Sequence, residues 1–276
     1  MTRIAGGVPP STTASLQTLD TFRADAPSTA TPATRRSTAN GVVADGRSER
    51  TPSLRQTADP AVLPNGAAQT VTMQDLARSK YKLGSRFDAF VDRSPSLRAG
   101  LLQLQNRGFR IEIGSASYTN MKSKTVTLAE ADFSRLDYLA QSLSHELGHA
   151  TNDRRYADFT HRDKYIGSQL DGEGAAVLFN LKVRQELLNA GVGDIGVLGQ
   201  PAFEKQAIAD WNAAAAGRIG AGELRTRFSA GYASQRPQHA VDQNYVQFYG
   251  TEFDKLTRYS PELKGKVLDG AASDGI

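Results

Sequence analysis

The chain has 276 residues, 33 basic and 29 acidic, for a net charge of +4 at neutral pH, and hydrophobic residues make up 39% of it. No apolar run approaches the roughly 18 residues needed to cross a bilayer, and no dense Lys/Arg stripe interleaved with aromatics marks a nucleic-acid surface. Cysteine is absent, which excludes disulfides, thiolate metal sites and cysteine nucleophiles together, so any metal must be held by His, Asp or Glu.

The first 70 residues contain seven of the eleven prolines, eighteen Ser or Thr, seven arginines, no lysine and a single aromatic, Phe22. Such a segment buries too little apolar surface to offset its ordering entropy, which predicts a disordered leader over residues 1–71 and one folded domain over 72–276. The N-terminus lacks the apolar core of a secretory signal peptide, so export would use another route. Its Ser/Thr-rich start carries no acidic residue before Asp20.

From residue 72 the pattern becomes globular. Phe87, Phe90 and Val91, then Leu97, Leu101, Leu102 and Leu104, have helical spacing broken near Pro95, with Gly108 ending the second helix. "FRIEIG" alternates Phe109, Ile111 and Ile113, the period of a half-buried strand, and "KTVTLA" is a second short strand with Val126 and Leu128 in register. Leu136, Leu139, Ala140, Leu143 and Leu147 form one helical stripe that stops near Asn152. The polar stretch 152–170 reads as an irregular loop. "DGEGAAVLFNLKVRQELLNAG" is the next helix, with Gly191 just past its end. Two further helices follow, and the aromatic-rich "NYVQFYGTEFDKLTRYS" closes the domain. Two short strands feeding long helices predict an α+β fold in which helix dominates.

The stripe 136–147 carries "HELGH". His145 and His149 are four residues apart, so on a helix both imidazoles leave one face and can share one ion. Glu146 lies round the side, placed to take a proton from metal-activated water without binding the metal. With four His and ten Glu in the chain, chance supplies about 0.002 such matches. Gly148 costs about 1 kcal/mol against alanine in mid-helix, which points to close approach of another backbone.

A hydrolytic zinc site needs a third protein ligand. A second Gly and a third His at 152 and 155 would extend the motif, but those positions hold Asn152 and Arg155. Glu173 is the best candidate, since it shares a helical face with Val177, Asn180 and Leu181 and a core-directed carboxylate needs a partner. A first-turn carboxylate favoured by the helix dipole is the plainer role for Glu173. Asp171 is the rival ligand, although its position fits an N-cap.

His145, Glu146, His149 and Glu173 together resemble the gluzincin class of zinc metallopeptidases over about residues 109–190. The resemblance implies a zincin-like catalytic domain with a short strand pair before the active-site helix, one Zn²⁺ per chain, and a protein or peptide substrate lying along an edge strand. It also implies a downstream oxyanion donor, for which His239 and Tyr245 are the first candidates and Tyr249, Arg258 and Tyr259 the others. His161 is expected in solvent, and Asn152 and Asp153 either cap the helix or orient a ligand histidine. With its leader, the chain is similar to zinc-protease effectors that plant-pathogenic bacteria inject into host cells by type III secretion. Two alternatives accompany this expectation: a zinc amidase or deacylase acting on a non-protein amide, and a non-catalytic host-binding effector on a degenerate zincin scaffold.

Overall fold

Ser94 ends one helix and starts the next. Its backbone N–H closes on Val91 O, its hydroxyl accepts from Leu97 N–H, and Pro95 takes the first helical position, where a missing N–H costs nothing. The break predicted at Pro95 therefore separates α1 (Ser85–Arg93) from α2 (Pro95–Asn106). The computed structural model of the chain describes residues 78–237, 240 and 242–270; the 1–71 leader and His239 lie outside the described residues.

After Gly108, at φ +75°, the chain enters β1 (Arg110–Gly114), β2 (Tyr118–Asn120) and β3 (Thr125–Ala129). The sheet order is β1-β3-β2, with β1 parallel and β2 antiparallel to the central β3. Val126 and Leu128 are fully buried, as their alternation predicts, whereas Ile113 is 50% exposed because β1 is an edge strand. The predicted strand pair is thus β1 and β3, and β2, absent from the sequence expectation, completes the sheet. Its three residues have no apolar alternation, and its pairing is supplied by β3.

A short 3₁₀ turn leads into α3 (Leu136–Ala150), whose predicted stripe of Leu136, Leu139, Ala140, Leu143 and Leu147 is buried throughout. The expectation of an irregular loop over 152–170 is corrected. Residues Tyr156–Asp158 form β4, and α4 already begins at Arg162 and runs to Asn189. β4 is held by antiparallel pairing with β5 (Val267–Asp269), more than a hundred residues away, which no local pattern announces. The start of α4 is hidden because its buried residues there, Tyr165, Ile166 and Ser168, are few among polar neighbours.

α5 (Pro201–Ala215), α6 (Ala221–Tyr232) and α7 (Tyr245–Tyr259) complete an α+β arrangement dominated by helix. One apolar cluster joins α1–α3, β3 and the C-terminal half of α4; a second joins α4, α5 and α6; a third joins β4, β5, α7 and Tyr165. All three use α4, which is therefore buried on several sides. Among the described residues no helix is long and apolar enough to cross a membrane.

Candidate metal centre

The site forms where α3 and α4 touch. A Cβ at Gly148 would lie 2.5 Å from Ala176 Cα and 3.0 Å from both Ala176 O and Phe179 Cβ, so only glycine permits this separation. The close approach expected from a mid-helix glycine is therefore to α4, one turn beyond Glu173. On the other side of α4, a Cβ at Gly174 would meet Arg225 O of α6 at 2.8 Å. Backbone contact on two sides places the residues of α4 firmly between α3 and α6.

This crossing brings together the three residues expected to bind metal. His145 Nε2 lies 3.2 Å from Glu173 Oε2 and 3.2 Å from His149 Nε2, and His149 Nε2 is 3.3 Å from Glu173 Oε2. His145 and Glu173 are 2% and 3% exposed, and His149 is half-buried. Among the described residues this is the group of His, Asp or Glu side chains able to surround one ion. A tetrahedral ion with N and O ligands at about 2.0–2.1 Å has ligand–ligand edges of about 3.3–3.4 Å. The observed triangle matches that face.

Hydrogen bonding alone accounts for the triangle poorly. If both Nε2 atoms are protonated, two N–H groups confront each other across 3.2 Å; if one is not, a single ring N–H cannot point along two edges at once. A shared cation satisfies all three lone pairs. Burial pushes the Glu173 carboxyl up, but the charge of His149 and the imidazole contacts outweigh it and hold the group well below the ordinary carboxylate range. Burial likewise lowers His149, and the Glu173 charge more than reverses this. The site thus carries a carboxylate aimed at two imidazoles in a dry setting, a group close enough together to hold one metal ion.

The second oxygen of Glu173 is also engaged. Tyr249 Oη donates to Oε1, leaving Oε2 to face the histidines. Burial, then the Glu173 charge, raises the Tyr249 phenol well above its usual value, so it remains a donor. Tyr249, one of the candidate oxyanion donors, thus bonds the carboxylate of Glu173. Tyr232, at the end of α6, stacks on His145 with ring centroids 5.5 Å apart and its hydroxyl 3.5 Å from Nε2. Tyr245 packs on Tyr232 at 4.9 Å, and burial together with the charges of Glu173 and Glu146 keeps its hydroxyl protonated. His145 Nδ1 is buried and has no hydrogen-bond partner among the described residues.

Glu146 is 4% exposed and lies outside the triangle. Its charge acts on His149, Tyr232 and Tyr245, so its carboxylate lies near the two histidines and Glu173. Thr119 Oγ1 of β2 lies 2.7 Å from Glu146 Oε2, to which it donates.

Other expected residues fall elsewhere. Asp171 is no N-cap: it sits nine residues inside α4 and accepts two hydrogen bonds from Arg225, at 2.7 and 2.6 Å. The N-cap expectation depended on starting the helix too late. His161 is exposed at the N-cap position of α4, about 18 Å along the helix from Glu173. Arg258 and Tyr259 lie at the far end of α7, with Tyr259 75% exposed. Asn152 Oδ1 accepts Arg154 N–H, and Asp153 lies 3.8 Å from Arg107. Thr119 and Tyr232 carried no sequence signal; the i,i+4 spacing of Tyr245 and Tyr249 was one that could have paired them on a single face. No protein-family model matches this chain, and comparison with curated proteins and with solved structures returns no match.

Proposed function

We propose that this protein is a zinc-dependent hydrolase of the gluzincin type, an endopeptidase acting on a protein or peptide. The observation that carries the proposal is the His145–His149–Glu173 triangle with tetrahedral edges and a buried glutamate, Glu146, beside it and outside it. One Zn²⁺ would be held by His145 Nε2, His149 Nε2 and Glu173 Oε2. Zinc, when bound there, supplies the positive charge that makes water nucleophilic near neutral pH and polarises a carbonyl.

The chain's own groups do the rest. Glu146 accepts the proton of the attacking water and returns it to the leaving amine. Tyr249 donates to Glu173 Oε1, so that Oε2 is the oxygen that would bind the zinc. Tyr245, protonated and beside the site, is the hydroxyl suited to donate to the developing oxyanion. The leader's composition supports delivery into a host cell by type III secretion, which makes a host protein the expected substrate.

Zinc content and turnover of a labelled general protein substrate test this. Glu146→Gln should keep about one zinc per chain and lose about 10² to 10⁴ in turnover, whereas His145→Ala and His149→Ala should lose metal and activity together. Turnover of small amides with no cleavage of protein would favour an amidase or deacylase, and zinc binding with no turnover at all would favour a host-binding role.

A further inference from the structure

Strand β2 is three residues long, and by the period of two only its middle residue, Thr119, faces α3. Its register partner is Val126, which is fully buried, while Tyr118 and Asn120 are exposed on the opposite face. Thr119 Oγ1 lies 2.7 Å from Glu146 Oε2 and 3.1 Å from Glu146 O. A threonine has one O–H, and the shorter contact to the charged acceptor is the one it satisfies.

This contact is unusual for the carboxylate it serves. An ionised carboxylate offers about four acceptor sites, yet among the described residues Thr119 is the donor that the Glu146 side chain has. Oε2 is therefore tethered to the sheet, and Oε1 has no hydrogen bond to the other described residues. The tether also fixes the last torsion of a side chain that the helix alone leaves free to rotate.

We infer that Thr119 is a positioning residue for Glu146: it pins Oε2 so that Oε1 is presented to the proton that Glu146 accepts. The inference rests on the hydrolase reading above, and it assigns to β2 the role of aligning the base. Thr119 Oγ1 bonds Glu146 and none of His145, His149 and Glu173.

The full-length Thr119→Val chain keeps the side-chain shape but removes the O–H. Because misplacing a catalytic group by about 1 Å can cost about 10²-fold, kcat on labelled casein should fall about 10- to 100-fold, with KM and zinc stoichiometry unchanged. Thr119→Ser should restore most of kcat. In a Glu146→Gln background, Thr119→Val should cause little further loss. A second readout needs no metal: in the zinc-free chain, Thr119→Val should lower the folding equilibrium constant about ten- to a hundredfold with Glu146 present, and much less with Glu146→Leu. A loss of kcat as large in Glu146→Gln as in wild type, or additive unfolding effects, would overturn the inference and assign Thr119 to strand packing. A wild-type chain that binds zinc and hydrolyses nothing would overturn the hydrolase reading, while the unfolding cycle would still report whether Thr119 holds Glu146.

Discussion

Tyr249→Phe removes one oxygen atom and isolates what holds Glu173, the proposed third ligand. The ring stays, with its contacts to Tyr245 and Phe248 at 5.6 and 5.3 Å, so packing should survive. What is lost is the O–H that Tyr249 donates to Glu173 Oε1, inside a pocket where Glu173 is 3% exposed. A hydrogen bond to a charged group contributes about 1.5–3 kcal/mol, which is roughly 10- to 150-fold in an equilibrium constant. Loss of an outer hydrogen-bond partner of a metal ligand costs about 10- to 100-fold in affinity, which agrees. The zinc dissociation constant, measured at neutral pH by competition with a chromophoric chelator, should therefore rise by about 10- to 100-fold. The same variant decides between two roles for the phenol. Unchanged zinc affinity with a fallen kcat would refute the role argued from the structure and return Tyr249 to the oxyanion.

Three further outcomes follow from the geometry. Gly148→Ala gains about 1 kcal/mol of helix propensity but forces a Cβ to within 2.5 Å of Ala176 Cα, an overpacking that costs about 1–3 kcal/mol; denaturant unfolding should show net destabilisation and chelator competition weaker zinc binding, and a variant more stable than wild type would contradict the crossing described. Glu173→Ala should leave zinc well below one per chain, whereas Asp171→Ala should keep the metal and lose only about 1 kcal/mol, because its pair with Arg225 is part-exposed and solvent-screened. The zinc-free and zinc-bound chains should differ in pH response. His149 is raised above 6.5, so its pairing with Glu173 is fully present below that value and lost as pH rises through the folded pKa; Glu173 is lowered below 4.5, so its contribution is present above that value and lost only in stronger acid. Zinc requires the histidines deprotonated, so the rise in melting temperature on adding zinc should grow from pH 6 to pH 8, and a shift that shrinks over that range would contradict the ligand set.

The features legible in the sequence are those set by local chain geometry. The leucine stripe makes α3 a helix, the four-residue spacing then puts His145 and His149 on one face, and Gly148 in mid-helix signals another backbone in contact. Glu173 was reachable because its face continues into Val177, Asn180 and Leu181, all buried. What the tertiary structure decided are the contacts between segments far apart in the chain. Helix α4 begins earlier than its pattern suggests because α3, α6 and α7 surround it, and an element buried on several sides shows no single apolar stripe. That late start made Asp171 look like an N-cap, although Arg225 of α6 is its partner. Strand β2 and its Thr119 have no period of their own, and Tyr249 reaches Glu173 across 76 residues of chain. Hydrogen bonds between such segments leave no periodic trace, because sequence periodicity records only which face of an element is buried and not what it is buried against.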